Sequence, residues 1–73
     1  MRITYDPAAD AACIHLTGRP VAPGRTTTQA STPPGTEGFI ALGWKKGLLV
    51  GIEILGASTR LHHDLLDEAE STS

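Results

Sequence analysis

Between Gly47 and Leu61 the chain reads GLLVGIEILGASTRL. Apolar β-branched residues alternate from Val50 through Ile52 to Ile54, the pattern of a strand with one buried face. Glu53 sits in the middle of that run with the opposite parity. A one-residue slip in pairing would send Ile52 outward and Glu53 inward, so the side chains themselves specify the register. Val50, Ile52 and Ile54 are expected to face the core, and Leu49, Gly51, Glu53 and Leu55 the other side.

The preceding segment, FIALGW at 39–44, places Ile40, Leu42 and Trp44 on one face. Lys45-Lys46-Gly47 joins it to the Glu53 strand, and Gly47 can supply the positive φ of a tight hairpin turn. At the N-terminus, RITY (2–5) and AACIHLT (11–17) also alternate. Between them DPAAD reads as a turn, because Pro7 cannot extend a paired central strand and Asp6 and Asp10 can accept from nearby backbone N–H groups. These two segments are expected to form an antiparallel hairpin. RTTTQA at 25–30 is polar and β-branched, an expected edge strand. Gly18–Gly24 and STPPGTEG, rich in Gly and Pro, read as loops.

Ala57–Leu61 reads as a connection with room for one helical turn. His62–Glu70 reads as a short helix, with Leu61, Leu65, Leu66 and Ala69 as its apolar stripe. Asp64 suits the helix start. Asp67, Glu68 and Glu70 oppose the dipole at its end, so fraying is expected after Ala69. Residues 1–70 make one domain and 71–73 a disordered tail. The expected fold is α+β: a small, mostly antiparallel, meander-like five-stranded sheet with a short C-terminal helix.

Seventy-three residues give a small core. Such chains gain stability from disulfides, a metal or a partner subunit. Cys13 is the only cysteine, which excludes an intrachain disulfide. One short helix cannot cover a face carrying Ile3, Tyr5, Ile14, Leu16, Ile40, Leu42, Trp44, Val50, Ile52 and Ile54. A second copy can, by face-to-face packing or by edge pairing, and a homodimer is expected. The net charge of −2 gives no basic face for nucleic acid, and no aromatic stacking platform accompanies Lys45, Lys46 and Arg60. No apolar run is long enough to span a membrane. MRITYD lacks the apolar core of a signal peptide, and with one free Cys the expected compartment is the cytoplasm.

Three segments carry a family resemblance: YDPAADAACIHL (5–16), FIALGW with KKG (39–47) and LLVGIEILGASTRL (48–61). Together they resemble the bacterial domain-of-unknown-function family 2283, and the last segment is the most specific. Two departures stand out. Cys13 occupies a position where the family commonly has an aromatic residue. Gly43-Trp44-Lys45-Lys46 replaces a hairpin that is usually rich in Asp, so cation binding by an acidic turn does not transfer. The resemblance implies no established activity. It implies a small companion of other proteins, similar in size and setting to the antitoxin half of a toxin–antitoxin pair.

The polar residues support several chemistries unequally. Asp6 and Asp10 can act as a carboxylate pair, though turn capping accounts for them more simply. Glu53 reads as a surface, ion-paired or subunit-contact residue, with Arg60, Arg2 or Arg25 as partner if the sheet is covered on both faces. His62, His63 and Asp64 invite a metal reading, but adjacent histidines are expected to point apart and zinc asks for at least three protein ligands. Cys13 and His15 share a strand face, and the rise along a strand places them about 7 Å apart, too far for a direct hydrogen bond. Neither a metal nor a cofactor is expected. The leading expectation is a homodimeric, non-enzymatic interaction module with a cognate protein partner and Trp44, Lys45, Lys46, Glu53 and Arg60 at its contact surfaces. The alternative is a small-ligand or metal-dependent enzyme using Asp6, Asp10, Glu53 and the histidines. That enzyme requires those groups to converge in one concave site.

Overall fold

The alternating segments pair into a single sheet in a computed structural model that describes residues 1–18, 24–33 and 39–71. Its strands are β1 (Arg2–Asp6), β2 (Ala11–His15), β3 (Thr26–Gln29), β4 (Phe39–Lys45), β5 (Leu48–Leu55) and β6 (Glu70–Ser71). Two short helices, α1 (Ala57–Arg60) and α2 (His63–Glu68), lie between β5 and β6 in the chain. The strand order is β3-β4-β5-β2-β1-β6. Every pairing is antiparallel except β1 with β6, which is parallel.

This corrects the expected five-stranded meander with one helix. A meander would pair β2 with β3, whereas β2 pairs with β5. The composition of the strands explains the order. All four residues of β3 are polar and exposed, which suits an edge. The two apolar hairpins instead meet through their inner strands, β2 and β5. The sixth strand arises where the chain leaves α2: Ala69 turns to extended geometry (φ −72, ψ 143). Glu70 and Ser71 then pair with Thr4 and Tyr5. Glu70 was expected in the helix and Ser71 in a disordered tail. Most of the two expected loops, residues 19–23 and 34–38, and the tail residues 72–73 lie outside the described residues.

The pairing confirms the register that Glu53 specifies. Ile3, Ile14, Ile52, Leu42 and Thr28 form one row across five strands, and Tyr5, Ala12, Ile54 and Ile40 form the next. Both rows lie on one face. Cys13, Glu53, Ala41 and Gln29 form a row on the opposite face. The turn between β4 and β5 is the two-residue loop Lys46-Gly47. Both residues have positive φ (52 and 79), the backbone that matches the right-handed twist of the flanking strands.

One expectation about this hairpin fails. A β-bulge interrupts the ladder, with Gly43 opposite Gly51 but Trp44 opposite Leu49. Val50 is the extra residue, and Leu49 thereby moves to the Trp44 side instead of the Glu53 side.

The buried cluster is small. Ala12, Ile54 and Ala57 form it, with Tyr5, Ile14, Ile40, Ile52, Leu61 and Leu66 packed around them. Ile54 is 2 % exposed. The helices therefore cover the part of the apolar face nearest β1, β2 and the C-terminal end of β5. No helix among the described residues is long and apolar enough to cross a membrane.

Candidate functional site

Asp10 sits where the β1–β2 turn meets the junction of β5 and α1. It adopts positive φ (50), a conformation that Asp tolerates better than most residues. Its Oδ1 accepts from the Tyr5 hydroxyl at 2.7 Å and from the Ser58 N–H at 2.9 Å, and its Oδ2 accepts from the Ser58 hydroxyl at 2.7 Å. Its carbonyl accepts from the N–H groups of Gly56 and Ala57. The Ser58 hydroxyl, the Tyr5 hydroxyl and the Ser58 N–H stabilise the carboxylate, in that order, and hold its pKa below the ordinary value. The same bond, with burial and the nearby carboxylates adding to it, raises the pKa of Tyr5. Asp10 is thus a staple that ties the first hairpin to the start of α1. Asp6 has a local task, accepting from the Ala8 N–H at 3.0 Å within the turn.

The opposite face of the sheet carries the other polar candidates. Glu53 is half-buried between Cys13 and Ala41 and makes no ion pair with a described residue. Cys13 and His15 are closer than strand geometry alone suggests, with Sγ and Nδ1 4.0 Å apart. Side-chain rotation closes the gap, and the ring is anchored on its far side by Thr4 Oγ1, 3.1 Å from Nε2. Burial pushes the Cys13 thiol up, with Glu53 adding to the effect and Arg25 and Arg2 opposing it. A thiol held protonated is a poor nucleophile.

Arg25 also belongs to this face. Its guanidinium lies across the paired glycines Gly43 and Gly51: a Cβ added at Gly43 would collide with Nη2, and one added at Gly51 would sit 2.8 Å from it. Nε and Nη2 of Arg25 are buried without a hydrogen-bond partner. The two glycines form a shelf for the side chain. Nothing in the spacing of Arg25 from Gly43 and Gly51 signals that contact, because it depends on β3 crossing to the edge of β4.

The five residues expected at contact surfaces do not form one patch. Trp44 lies on the apolar face, half-buried, and its indole N–H donates to Thr28 Oγ1 at 2.8 Å. Lys45 and Lys46 sit at the hairpin tip. Glu53 is on the opposite face. Arg60 closes α1 with its Nε buried and without a hydrogen-bond partner, and it is not paired with Glu53.

The groups of the enzyme alternative do not gather either. Asp10 and Asp6 bond to their own turns and to α1. Glu53 and His15 share the polar face, and His62 and His63 flank the start of α2. Among the described residues the one group with metal-ligand spacing is His62, His63 and Asp64, all exposed, with ligand atoms within 4.8 Å of one another. The two rings were expected to point apart. They stack at 4.2 Å because His62 is not helical: it is the N-cap, with extended ψ of 140, and its Nδ1 accepts from the Asp64 N–H. A pocket of about 190 Å³ lined by Met1, Arg2, Ile3, Glu68 and Glu70 contains none of the groups of the enzyme alternative. It falls below the roughly 300 Å³ at which small-ligand sites begin.

The feature left unaccounted for is the hairpin half of the apolar face. Leu42 and Trp44 stand outside the buried cluster. Leu48 is 71 % exposed, Leu49 40 % and Leu16 37 %. Leu16 donates its N–H to Val50, which brings β2 alongside the bulge. By strand register Leu16, Leu42, Trp44 and Leu49 therefore lie on the hairpin half of one face, with Leu48 at its margin.

The family model for the protein of unknown function DUF2283 matches residues 2–58. The chain belongs to that family. In this DUF2283 chain the match spans β1 to β5 and ends at Ser58, so both ends of the Asp10–Ser58 staple fall inside it. Helix α2 and strand β6 lie beyond it. No curated protein and no solved structure matches the chain.

Proposed function

We propose that this DUF2283 chain is a homodimeric protein-interaction module without catalytic activity of its own. The observation that carries the reading is the apolar patch around Leu42, Trp44 and Leu49. A contiguous apolar surface rimmed by polar groups marks an interaction site more often than a solvent face. The lysines at its tip and the threonines of β3 supply such a rim. A cognate protein is the second partner in this reading, and an antitoxin-like role is its most concrete form.

The carboxylates support the same reading. Asp6 and Asp10 are engaged in turns, and the Cys13 thiol is held in its protonated, unreactive form. The test is co-purification with a small basic protein encoded beside this chain, together with sedimentation of the chain alone. Association in either experiment at micromolar concentration supports an interaction module. A monomer that retains no such protein removes it.

A further inference from the structure

The edge of the sheet beyond β1 is closed in an unusual way. β1 is five residues long, but among the described residues only Thr4 and Tyr5 are paired on its outer side, with Glu70 and Ser71 of β6. This is the one parallel pairing among the described strands, and a parallel ladder is slightly weaker per residue than an antiparallel one. Both residues of β6 are exposed. A free strand edge is a template for pairing with another chain, so what covers this edge matters.

The unit that carries β6 has few anchors. No residue of α2 is buried. Leu66 is the one α2 side chain that packs against the buried cluster, and Leu65 is 37 % exposed. Asp67 and Glu68 stand at the end of α2 with no basic residue in its last turn, so the helix dipole works against them. The ion pair from Arg2 Nε to Glu70 Oε2, at 3.8 Å, is well exposed on both sides, and such pairs add little. A pocket of about 190 Å³ lined by Met1, Arg2, Ile3, Glu68 and Glu70 separates the start of β1 from this unit. A gap forfeits the contacts that would seal the two together.

Helix α1 is held differently. Ala57 is fully enclosed, and the Asp10 carboxylate accepts both the N–H and the hydroxyl of Ser58. Firm attachment thus ends in α1. Leu61 (ψ 139) and His62 (ψ 140) are both extended, which breaks the chain between the two helices.

We propose that α2 and β6 form a strap, hinged at Leu61–His62, that opens as one unit while β1–β5 and α1 stay folded. Closed, the strap occupies the β1 edge. Open, it frees the outer N–H and C=O groups of β1 for strand pairing. The strap therefore sets when that edge is available. This inference stands apart from the interaction-module reading, which holds whether or not the strap opens.

Native-state hydrogen exchange of the full-length chain, followed amide by amide by NMR at neutral pH, tests it. Amides of α2 and β6 and the β1 amides that face β6 should exchange together, at least about tenfold faster than the amides between β4 and β5. The β1 amides that face β2 alternate with them and should stay as slow as β4 and β5. Glu70→Pro cannot complete the β6 ladder and should speed exchange of the first set alone, by a further factor of about ten. Exchange of α2 and β6 at the rate of the slowest amides would show that they open only with the whole fold, and would overturn the strap. Fast exchange of α2 and β6 with the outer β1 amides still protected would also overturn it, because something else would then cover the edge. The wild-type pattern decides the matter by itself if Glu70→Pro fails to fold.

Discussion

The two halves of the apolar face are built from the same residue types and have different surroundings. Near the Asp10 end, Ala12, Ile54 and Ala57 are buried, and Leu61 and Leu66 pack onto them. At the hairpin end, Leu42 and Trp44 are half-buried and Leu48 and Leu49 exposed. The difference lies in local chain geometry. At the Asp10 end a left-handed residue, Gly56 (φ 72), turns the chain back over the sheet, and Asp10 captures the first turn of α1. At the hairpin end the chain reverses in the two residues Lys46-Gly47, a turn too short to fold over the face itself. A strand pattern specifies which side is apolar. The connection that follows the strand decides whether that side is covered within the same chain.

Substitutions can break or sharpen this contrast. The largest effect is expected at the centre of the covered half. Ile54→Ala removes a fully enclosed side chain and should destabilise the fold by about 3 kcal/mol, read by urea denaturation. Leu42→Ala removes a similar amount of hydrocarbon from the half-buried hairpin end and should cost about 1 kcal/mol. Equal losses at the two positions would show that the halves are equally packed in solution.

Gly51→Ala should follow, at about 1–2 kcal/mol, because the new methyl meets the Arg25 guanidinium and, at 3.3 Å, the Ile14 carbonyl. Gly43→Ala should cost less, since the atoms it meets all belong to the end of the flexible Arg25 side chain. The reverse order would place Arg25 elsewhere.

Asp10 provides the pH test of the covered half. Its folded pKa lies below its unfolded value, so the stability it contributes is complete above the unfolded value and is lost as pH falls through the folded one. Thermal unfolding should be flat near neutrality and fall on acidification below the ordinary carboxylate range. Asp10→Asn should flatten that acid limb and lower stability at neutral pH. An unchanged acid limb in the variant would show that other carboxylates carry it. The smallest effect is expected at the exposed rim of the hairpin end. Thr28→Val keeps the shape of the side chain and removes the acceptor of the Trp44 indole N–H, for a loss of about 0.5 kcal/mol.

Much of the architecture was legible from side-chain parity. Glu53 between two isoleucines set the face of β5, and the hairpin turn followed from Lys45-Lys46-Gly47, of which Lys45 proves to be the last residue of β4. The polar β3 read correctly as an edge. The strand order was not legible, because the pairing of β2 with β5 is non-local and both orders satisfy the same alternation. The bulge was missed for a related reason: Leu49 and Val50 are both apolar, and either can face the core. The role of Asp10 was half legible. Its turn position suggested capping, but its main partner, Ser58, lies 48 residues away. The closeness of Cys13 and His15 was misjudged because strand rise sets Cα spacing, while rotamers set the distance between side-chain tips.

The sequence by itself determined the α+β class, the apolar face and its register, the tight β4–β5 turn and the membership in DUF2283. Period-two alternation and left-handed turn residues are local properties, and they survive any choice of strand order. Only the tertiary structure decided which strands meet, where Arg25 rests and which half of the apolar face the helices reach. Those outcomes depend on contacts between residues far apart in the chain, which the local pattern does not encode.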